Sequence, residues 1–537
     1  MGPPQRFSRA LPYAVAGLPL LLWTQRAWVR PTNFGGFDEW PMLHLPSRFI
    51  VDVAYANRPL GLVWLLPAAA WPYTFRAFVG LSFAYLLLAA LAVFRIHRRL
   101  RPERPLESFL AASLVLVWAP GDLARLSTVE SALYAGITFG TMATIAAFVE
   151  SWFEGRVLTL LLACVLVVAV ARSYEGCLAL LAAAPVLLLL TQERSRRLMA
   201  WCAAWTGAVG VSAAWALAPL LRPAEPAAYQ LTVLKPEFDP RVLLGRVGLQ
   251  YAYHLAPLAL SPIAELGHVA VGLAVVVFAL LFGFVARGSA ELGEPSDLVS
   301  QAGWVALGLT FGGLGYCLIV IGSSAPSAFR LEFLSGPGIA VALASTVFLL
   351  AGLLPRPARG VVALLLASWV VAVGTGRTVA MQRTWDEGSA YAKQVSMLRG
   401  LVGRAPDFRR GTIVLLLDEG GAWRATFGFH HAIQYLYQGD AAGCVWGAWS
   451  ALYPATLGPE GLHSEPWPVI QRPWRVAPHT YRYDEIVVAR FADGVVGILP
   501  EWPATLPPLP PGARYDPASR IVASGQSFPE RAVLDSP

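Results

Sequence analysis

Long apolar segments constrain this chain more than any other feature. A helix of about 20 apolar residues can cross the hydrocarbon core of a bilayer. Apolar residues fill 56% of the 537 positions and charged residues only 14%, against about a quarter in a soluble domain. The sequence predicts a mainly α-helical, polytopic transmembrane bundle of about eleven spans, near 10–29, 73–94, 107–120, 131–149, 157–171, 177–191, 198–221, 264–286, 300–322, 333–354 and 360–376.

Basic residues predict how the bundle is oriented. The segment 59–72 is short and interrupted by prolines, which favours an interfacial position over a span. With it excluded, "RIHRRLRPER" (95–104), "RSRR" (194–197) and Arg356 fall on one side. The positive-inside rule makes that side cytoplasmic. We therefore expect a cell-membrane protein with a cytoplasmic amino terminus and an uncleaved signal anchor.

This orientation places loop 30–58, loop 222–263 and everything after 376 outside the cytoplasm. Residues 1–376 then form the transmembrane module, and 377–537 form an extracytoplasmic α/β domain with a proline-rich tail, "PATLPPLPPGARYDP". Apolar patterning in this domain predicts helices near 387–402 and 424–438 and strands near 412–418, 485–490 and 494–499.

Several function classes lose support from the absence of their motifs in the sequence. The five cysteines form no CxxC pair and no Cys/His spacing typical of a metal site. The sequence has no GxxxxGK[ST] loop and no GxSxG elbow, which disfavours ATP-driven transport and serine-hydrolase chemistry. The net charge of +7 lies mostly in short loops, which is a topology signal and not a nucleic-acid footprint.

The loop "NFGGFDEWPMLHLPSR" (33–48) carries an adjacent acidic pair, Asp38 and Glu39, and Arg58 follows before the next span. A carboxylate can accept the proton of an attacking hydroxyl, and arginine can bind a phosphate through two hydrogen bonds. These groups suit a substrate with a lipid tail and an anionic head. The alternative is that they are ordinary loop charges solvated at the interface.

The layout of this loop resembles the GT-C superfamily of polytopic glycosyltransferases, in particular the branch of protein O-mannosyltransferases and lipid A aminoarabinose transferases. In that family the first outer loop bears an acidic pair and continues through a "Y…RPPL"-like segment, matched here by Asp38, Glu39 and "YANRPL" (55–60). "AFRLEFLSGPGIAVALA" (328–344) is similar to the family's late "RY…P…A" segment, with the tyrosine replaced.

The resemblance implies an inverting glycosyltransferase that uses a polyprenyl-phosphate-linked sugar as donor. By position, Asp38 is the catalytic base and Glu39 orients or assists it. Arg58 and Arg330 stabilise the leaving lipid phosphate, a role that a divalent cation could share. The acceptor, a glycan, lipid or protein, stays open, as does the sugar; no nucleic-acid partner is implied.

Two further loops hold candidates on the outer side. The family often places a second acidic residue between the third and fourth spans, where Asp122 fits best and Glu130 competes. Either residue could equally cap a helix. In "ARSYEG" (171–176), Arg172 and Glu175 predict a local ion pair, with contact to the donor phosphate as the alternative.

The sequence is also compatible with rival functions. A transporter or flippase of lipid-linked sugars would lack transferase activity, and such proteins tend to bury charges in mid-span. Here the charges gather at one outer boundary, which favours surface chemistry. For His254 and His268, packing is favoured over metal binding, and His430 and His431 are expected to cap or pack a helix of the outer domain.

Overall fold

The computed structural model describes a mainly helical chain with a small sheet domain toward the carboxyl end, as the sequence predicts. It describes residues 11–26, 38–54, 57–70, 75–122, 125, 127–218, 237–258, 267–287, 297–322, 332–450, 452–523 and 528–535. The chain divides into two compact units. The helical unit comprises 1–31, 82–126 and 131–384, and the mixed unit comprises 32–81, 127–130 and 385–537.

The helices are numbered in chain order. They are α1 (Leu11–Ala16), α2 (Leu18–Arg26), α3 (Glu39–Ser47), α4 (Leu66–Ala69), α5 (Phe75–Leu100), α6 (Pro105–Val117), α7 (Val129–Glu154), α8 (Val157–Ser173), α9 (Leu178–Thr191), α10 (Arg196–Leu217), α11 (Pro240–Leu255), α12 (Val269–Ala286), α13 (Leu298–Gly322), α14 (Glu332–Gly352), α15 (Arg356–Gly388), α16 (Tyr391–Arg404), α17 (Thr426–Leu436) and α18 (Pro468–Gln471).

Among the described residues, seven helices are long and apolar enough to cross a membrane: α5, α7, α10, α12, α13, α14 and α15. Each of the other predicted spans also coincides with helical structure. However, α6, α8 and α9 are shorter, and a 13-residue helix such as α6 rises only about 20 Å. The first predicted span is divided at Gly17, where a Cβ would lie 2.5 Å from the Leu281 side chain.

Close packing of α13 on α14 fixes the amino-terminal end of α14. A Cβ on Gly315 would lie 2.5 Å from the Ser335 Cα atom, and one on Gly338 would lie 2.4 Å from the Gly312 nitrogen. Small residues let two helix backbones approach closely, which is a common basis of helix association in membranes. Glu332, the first residue of α14, is thereby held beside α13.

The mixed unit is built on a sheet of order β3-β2-β7-β8, in which β2 is parallel to both neighbours and β8 is antiparallel to β7. Two smaller sheets have the orders β1-β9 and β4-β5-β6. The strands are β1 (Asp407–Phe408), β2 (Thr412–Asp418), β3 (Ala441–Val445), β4 (Ala455–Gly458), β5 (Gly461–Ser464), β6 (His479–Tyr481), β7 (Ile486–Ala492), β8 (Val495–Ile498) and β9 (Ile521–Val522).

The sequence predicts three of the four strands of the main sheet, β2, β7 and β8, because they are apolar runs, and it does not predict β3. The run "TIVLLLD" forms β2, which is buried along all but its last residue, as central parallel strands usually are. The proline-rich tail has no helix or strand over 500–516, yet it packs on this sheet. Leu506 is buried there, and the Tyr515 hydroxyl donates to the Leu499 carbonyl at 2.8 Å and accepts from the Val488 N–H at 3.1 Å.

Helix α3 belongs to the mixed unit and packs on the elements that follow α15. The Trp40 indole donates to the Gln394 side chain at 3.0 Å, and Gln394 donates to the Ala422 carbonyl at 3.0 Å. The His44 and His431 rings meet at 2.8 Å between their Nδ1 atoms. The segment with the acidic pair is therefore part of the same compact unit as the carboxyl-terminal sheet.

Candidate active site

Asp38 and Glu39 lie where α3 begins, and their side chains have different surroundings. Asp38 is the residue before the helix, half-buried, with helical backbone angles (φ −89°, ψ −12°), and its side chain makes no capping hydrogen bond. Glu39 is completely buried. The adjacent carboxylates are thus distinguished by burial.

Glu39 binds the start of α7 within the mixed unit. Its Oε1 atom accepts hydrogen bonds from the Ser127 hydroxyl and from the Val129 backbone N–H, the latter at 3.3 Å. A carboxylate at this position is stabilised by the partial positive charge of a helix amino terminus. Burial and the nearby Glu39 charge raise the pKa of Tyr391. These contacts hold the Glu39 side chain against the start of α7.

Glu130 is also buried in the first turn of α7. A carboxylate there is favoured by the same helix dipole. The helix-cap and catalytic roles of Glu130 both stay predictions.

Asp122 lies in the helical unit, buried next to Arg125. The Arg125 Nε atom is 3.5 Å from the Asp122 Oδ2 atom. The same guanidinium donates to the carbonyls of Val115 and Leu116, each at 3.3 Å, in the last turn of α6. Cations are stabilised beside carbonyls at a helix carboxyl terminus. Arg125 therefore joins the end of α6 to the Asp122 carboxylate.

Glu332 is a second buried carboxylate at this end of the helical unit. Its Oε2 atom accepts a hydrogen bond from the Gly121 N–H at 3.0 Å and lies 3.7 Å from the His254 Nε2 atom. The His254 Nδ1 atom hydrogen-bonds with the Tyr316 hydroxyl. The loop after α6 and the helices α11, α13 and α14 thus contribute to one cluster of ionisable groups.

Sequence reasoning did not select Arg125 or Glu332. Glu332 stands two positions after the candidate Arg330, at the start of a predicted span. An acidic residue at that position is the sequence feature that could have identified it as a candidate. Its contact with Gly121 joins positions 211 residues apart. His254 was expected to pack, and it is fully buried, with a polar contact on each ring nitrogen.

The arginine candidates are spread over both units. Arg58, half-buried in the mixed unit, pairs its backbone with Val53 in a short bridge. Arg172 lies in the last turn of α8 in the helical unit, with its guanidinium carbon 4.6 Å from the centre of the Trp215 ring. Glu175 begins a short 3-10 helix, Glu175–Cys177. Arg330 lies outside the described residues, as does Tyr55.

Residues 38, 39, 58 and 130 therefore belong to the mixed unit, and residues 122, 172 and 175 to the helical unit. Their proposed roles in transfer stay predictions. Within the described ranges, no group of three or more histidine, cysteine, aspartate or glutamate side chains is arranged to hold a metal ion.

Fold and site together define a chain with a unit of apolar helices, buried acid–base clusters and a mixed α/β unit. No protein-family model and no curated protein matches it. Among solved structures it is similar to the apo oligosaccharyltransferase of Archaeoglobus fulgidus, at 12% identity and a TM-score of 0.45, over 79% of this chain and 63% of that one.

The same archaeal enzyme tethered to an acceptor peptide with an NVT sequon gives a TM-score of 0.39 at 12% identity, over 79% of this chain and 62% of that one. This chain thus spans less than two thirds of the length of the proteins it matches. Similarity at this level assigns neither a family nor an activity to the chain.

Proposed function

We propose that this protein is a membrane glycosyltransferase of the GT-C type, which moves a sugar from a polyprenyl-phosphate-linked donor to an acceptor at the outer membrane surface. The observation that carries the proposal is the placement of Asp38. Its half-buried carboxylate stands at the start of α3, next to a residue that is anchored through Ser127 and Val129. Anchoring a neighbour holds a catalytic group in place, which is a large part of catalysis.

In the proposed step, the Asp38 carboxylate takes the proton of the acceptor hydroxyl. The acceptor oxygen then forms a bond to the anomeric carbon. The bond between that carbon and the phosphate oxygen breaks, and its electron pair leaves with the lipid phosphate. Attack opposite the leaving group inverts the anomeric configuration. Glu39 takes no proton in this scheme and holds the start of α3 through its contacts with Ser127 and Val129.

The lipid phosphate that leaves needs positive charge beside it. We assign this role to Arg58 and Arg330, with Arg172 as a further candidate, and we assign Asp122 as the second acidic residue. Asp122 is suited to be this second acidic residue because Arg125 lies next to it and the buried Glu332 cluster adjoins it. The amino terminus is proposed to be cytoplasmic and residues 377–537 extracytoplasmic.

The interior of the helical unit favours transfer over transport. One polar cluster surrounds Glu332 at the start of α14, and another surrounds Glu107, which accepts from Ser345 at 2.6 Å further along α14. Ser345 lies 13 positions after Glu332, a rise of about 20 Å along the helix. A cavity in this unit is lined mainly by apolar side chains, including Val93, Met142 and Leu187.

The decisive experiment compares Asp38→Asn with Asp52→Asn, which makes the same change in the same segment. Asparagine preserves size but cannot act as a base near neutral pH, so Asp38→Asn should lower transfer by roughly 10²–10⁴-fold. Asp52→Asn should stay within a few-fold of wild type. The assay follows sugar transfer from a polyprenyl-phosphate donor in membranes, with expression measured in parallel.

Wild-type turnover in Asp38→Asn would overturn the assignment of the base. A matched loss in Asp52→Asn would show that the segment is sensitive to any change and that Asp38 has no special role.

A further inference from the structure

A second polar site lies in the mixed unit, away from the acidic pair. It is a cavity of about 340 Å³, which is within the range of small-molecule sites. Its walls come from the end of α3, from α17 and from the loops after α17 and α18. The side chains that matter most are those of His44, Arg48, Arg410, Gln434, Trp474 and Arg475.

Positive charge dominates the rim of this cavity. The lining includes the three exposed arginines Arg48, Arg410 and Arg475, and one acidic residue, Asp440. Among the residues that the structure describes, none of these three guanidinium groups forms an ion pair. Arginine binds phosphate and carboxylate through paired hydrogen bonds. The rim is therefore suited to an anion.

Two residues that line the cavity, His44 and His431, belong to a chain of buried hydrogen bonds. The His431 Nε2 atom lies 3.1 Å from the Tyr453 hydroxyl, and its Nδ1 atom lies 2.8 Å from the His44 Nδ1 atom. The His44 Nε2 atom is buried without a hydrogen-bond partner in the described part of the chain. Burial, with His430 and Arg48 nearby, lowers the pKa of His44 to about 3, so this ring is neutral near pH 7.

The direction of these hydrogen bonds determines which ring nitrogen of His44 carries the proton. If Tyr453 donates to His431 and His431 donates to the His44 Nδ1 atom, then His44 carries its proton on Nε2. A neutral imidazole of that tautomer is a hydrogen-bond donor. His44 lines the cavity, and in that tautomer its Nε2–H has no acceptor in the described part of the chain.

The walls of the cavity include a fixed aromatic ring and two residues with positive φ angles. Trp474 is buried, and its indole donates to the Asp52 carbonyl at 2.8 Å, which fixes the ring. Gln438 and Arg475 both line the cavity with positive φ angles of 51° and 54°. Such backbone strain in residues other than glycine concentrates at ligand sites. A fixed aromatic wall with amides nearby suits a ring that carries hydroxyl groups.

We infer that this cavity binds a phosphorylated sugar or polyol, with the phosphate on the arginines and His44 and the ring beside Trp474. The ligand can be a free sugar phosphate or a phospholipid headgroup of the same chemistry. This inference goes beyond the proposed transferase and does not depend on it, because it concerns binding by residues other than Asp38, Glu39 and Asp122.

The test is calorimetric titration of the full-length protein in detergent with glucose 1-phosphate, inorganic phosphate and glucose. Glucose 1-phosphate should bind at least about fivefold more tightly than either fragment. Vesicles with and without phosphatidylinositol are also added to the protein in nanodiscs. This comparison distinguishes a phospholipid headgroup from a free sugar phosphate as the ligand. Saturable binding of either phosphorylated probe supports the inference, and saturation by neither overturns it.

Variants locate the site. Arg48→Gln, Arg410→Gln and Arg475→Gln should each weaken binding by about tenfold, since hydrogen bonds to charged groups are stronger than neutral ones. Arg514→Gln is the matched control, because Arg514 is an exposed arginine of the same unit that pairs with Asp516. Equal losses in Arg514→Gln would show general charge attraction and overturn the inference.

One more variant separates this site from the transferase. Asp38→Asn should bind glucose 1-phosphate as wild type does, even if transfer is lost. Because Arg475 is exposed on a loop, Arg475→Gln should keep the wild-type unfolding temperature, so lost binding there cannot be attributed to misfolding. Failure of binding with transfer intact would overturn this inference alone.

Discussion

The two units surround some of their buried carboxylates with different partners. In the helical unit, carboxylates lie beside cations, as Glu107 does with Arg101 at 3.0 Å and Asp122 with Arg125 at 3.5 Å. In the mixed unit, Glu39 binds uncharged donors, and three adjacent histidines, His44, His430 and His431, are buried.

This difference determines what each unit responds to. A buried ion pair is sensitive to loss of one partner, because the other charge is then left without compensation. A histidine that is buried without charge is sensitive to acid, because protonation favours the unfolded chain. The comparison therefore predicts sensitivity to mutation in the helical unit and sensitivity to pH in the mixed unit.

The largest effect is expected for Glu107→Ala. Glu107 is fully buried and accepts hydrogen bonds from Arg101, Gln301 and Ser345. Its removal leaves the Arg101 charge buried, which typically costs about 3–5 kcal/mol. SDS-induced unfolding in mixed micelles measures this. Glu103→Ala, which removes a partly exposed partner of the same arginine, should cost under about 1 kcal/mol; equal costs would break the comparison.

Acid should destabilise the mixed unit. Burial lowers the pKa of His44 to about 3 and of His430 to about 4, and burial with the neighbouring histidines lowers the pKa of His431 well below 6.5. Between about pH 4 and 6.5 the unfolded chain therefore binds more protons, so stability falls as pH falls, by up to about 1.4 kcal/mol per pH unit for each histidine.

Thermal unfolding between pH 7 and 4 measures this dependence. His44→Leu should make the decline shallower, whereas His479→Leu, which alters an exposed histidine of the same unit, should leave the slope unchanged. Identical slopes in wild type and His44→Leu would show that acid acts elsewhere.

Two substitutions of Glu39 distinguish the contribution of its hydrogen bonds to stability from that of its charge. Glu39→Ala leaves the Ser127 hydroxyl and the Val129 N–H without their buried acceptor, which should cost about 2–3 kcal/mol. Glu39→Gln retains an acceptor and should cost about 1 kcal/mol. Chemical unfolding of the two variants decides this, and equal costs would mean that Glu39 acts through its charge and not as an acceptor.

The smallest effect is expected for Gly121→Ala. A Cβ at position 121 would lie 2.5 Å from the Glu332 Oε1 atom, and a flexible carboxylate can move aside at a cost near 1 kcal/mol. Gly336→Ala is the control, since a Cβ there would meet Arg125 at 3.9 Å. Apparent unfolding temperatures should fall for the first and not for the second. A fall in both would point to general packing.

Patterns within short stretches were predictable because they depend on local chemistry. The run "TIVLLLD" identifies β2 to the residue, and helices near 387–402 and 424–438 are observed at 391–404 and 426–436. The sequence predicts both Asp38 and Glu39 as site residues, because it shows only that they are adjacent. No pattern in the neighbouring sequence indicates that Ser127 and Val129 bind Glu39.

The apolar helices, the α/β class of the carboxyl-terminal residues and the acidic pair could be identified from the sequence, since periodicity and hydrophobicity reside in neighbouring residues. Three other features became visible with the fold: α3 lies in the same unit as the carboxyl-terminal sheet, Glu332 contacts Gly121, and Arg48 and Arg475 line one cavity. These contacts join positions hundreds of residues apart, and they form because burial of polar groups requires partners that the fold alone brings together.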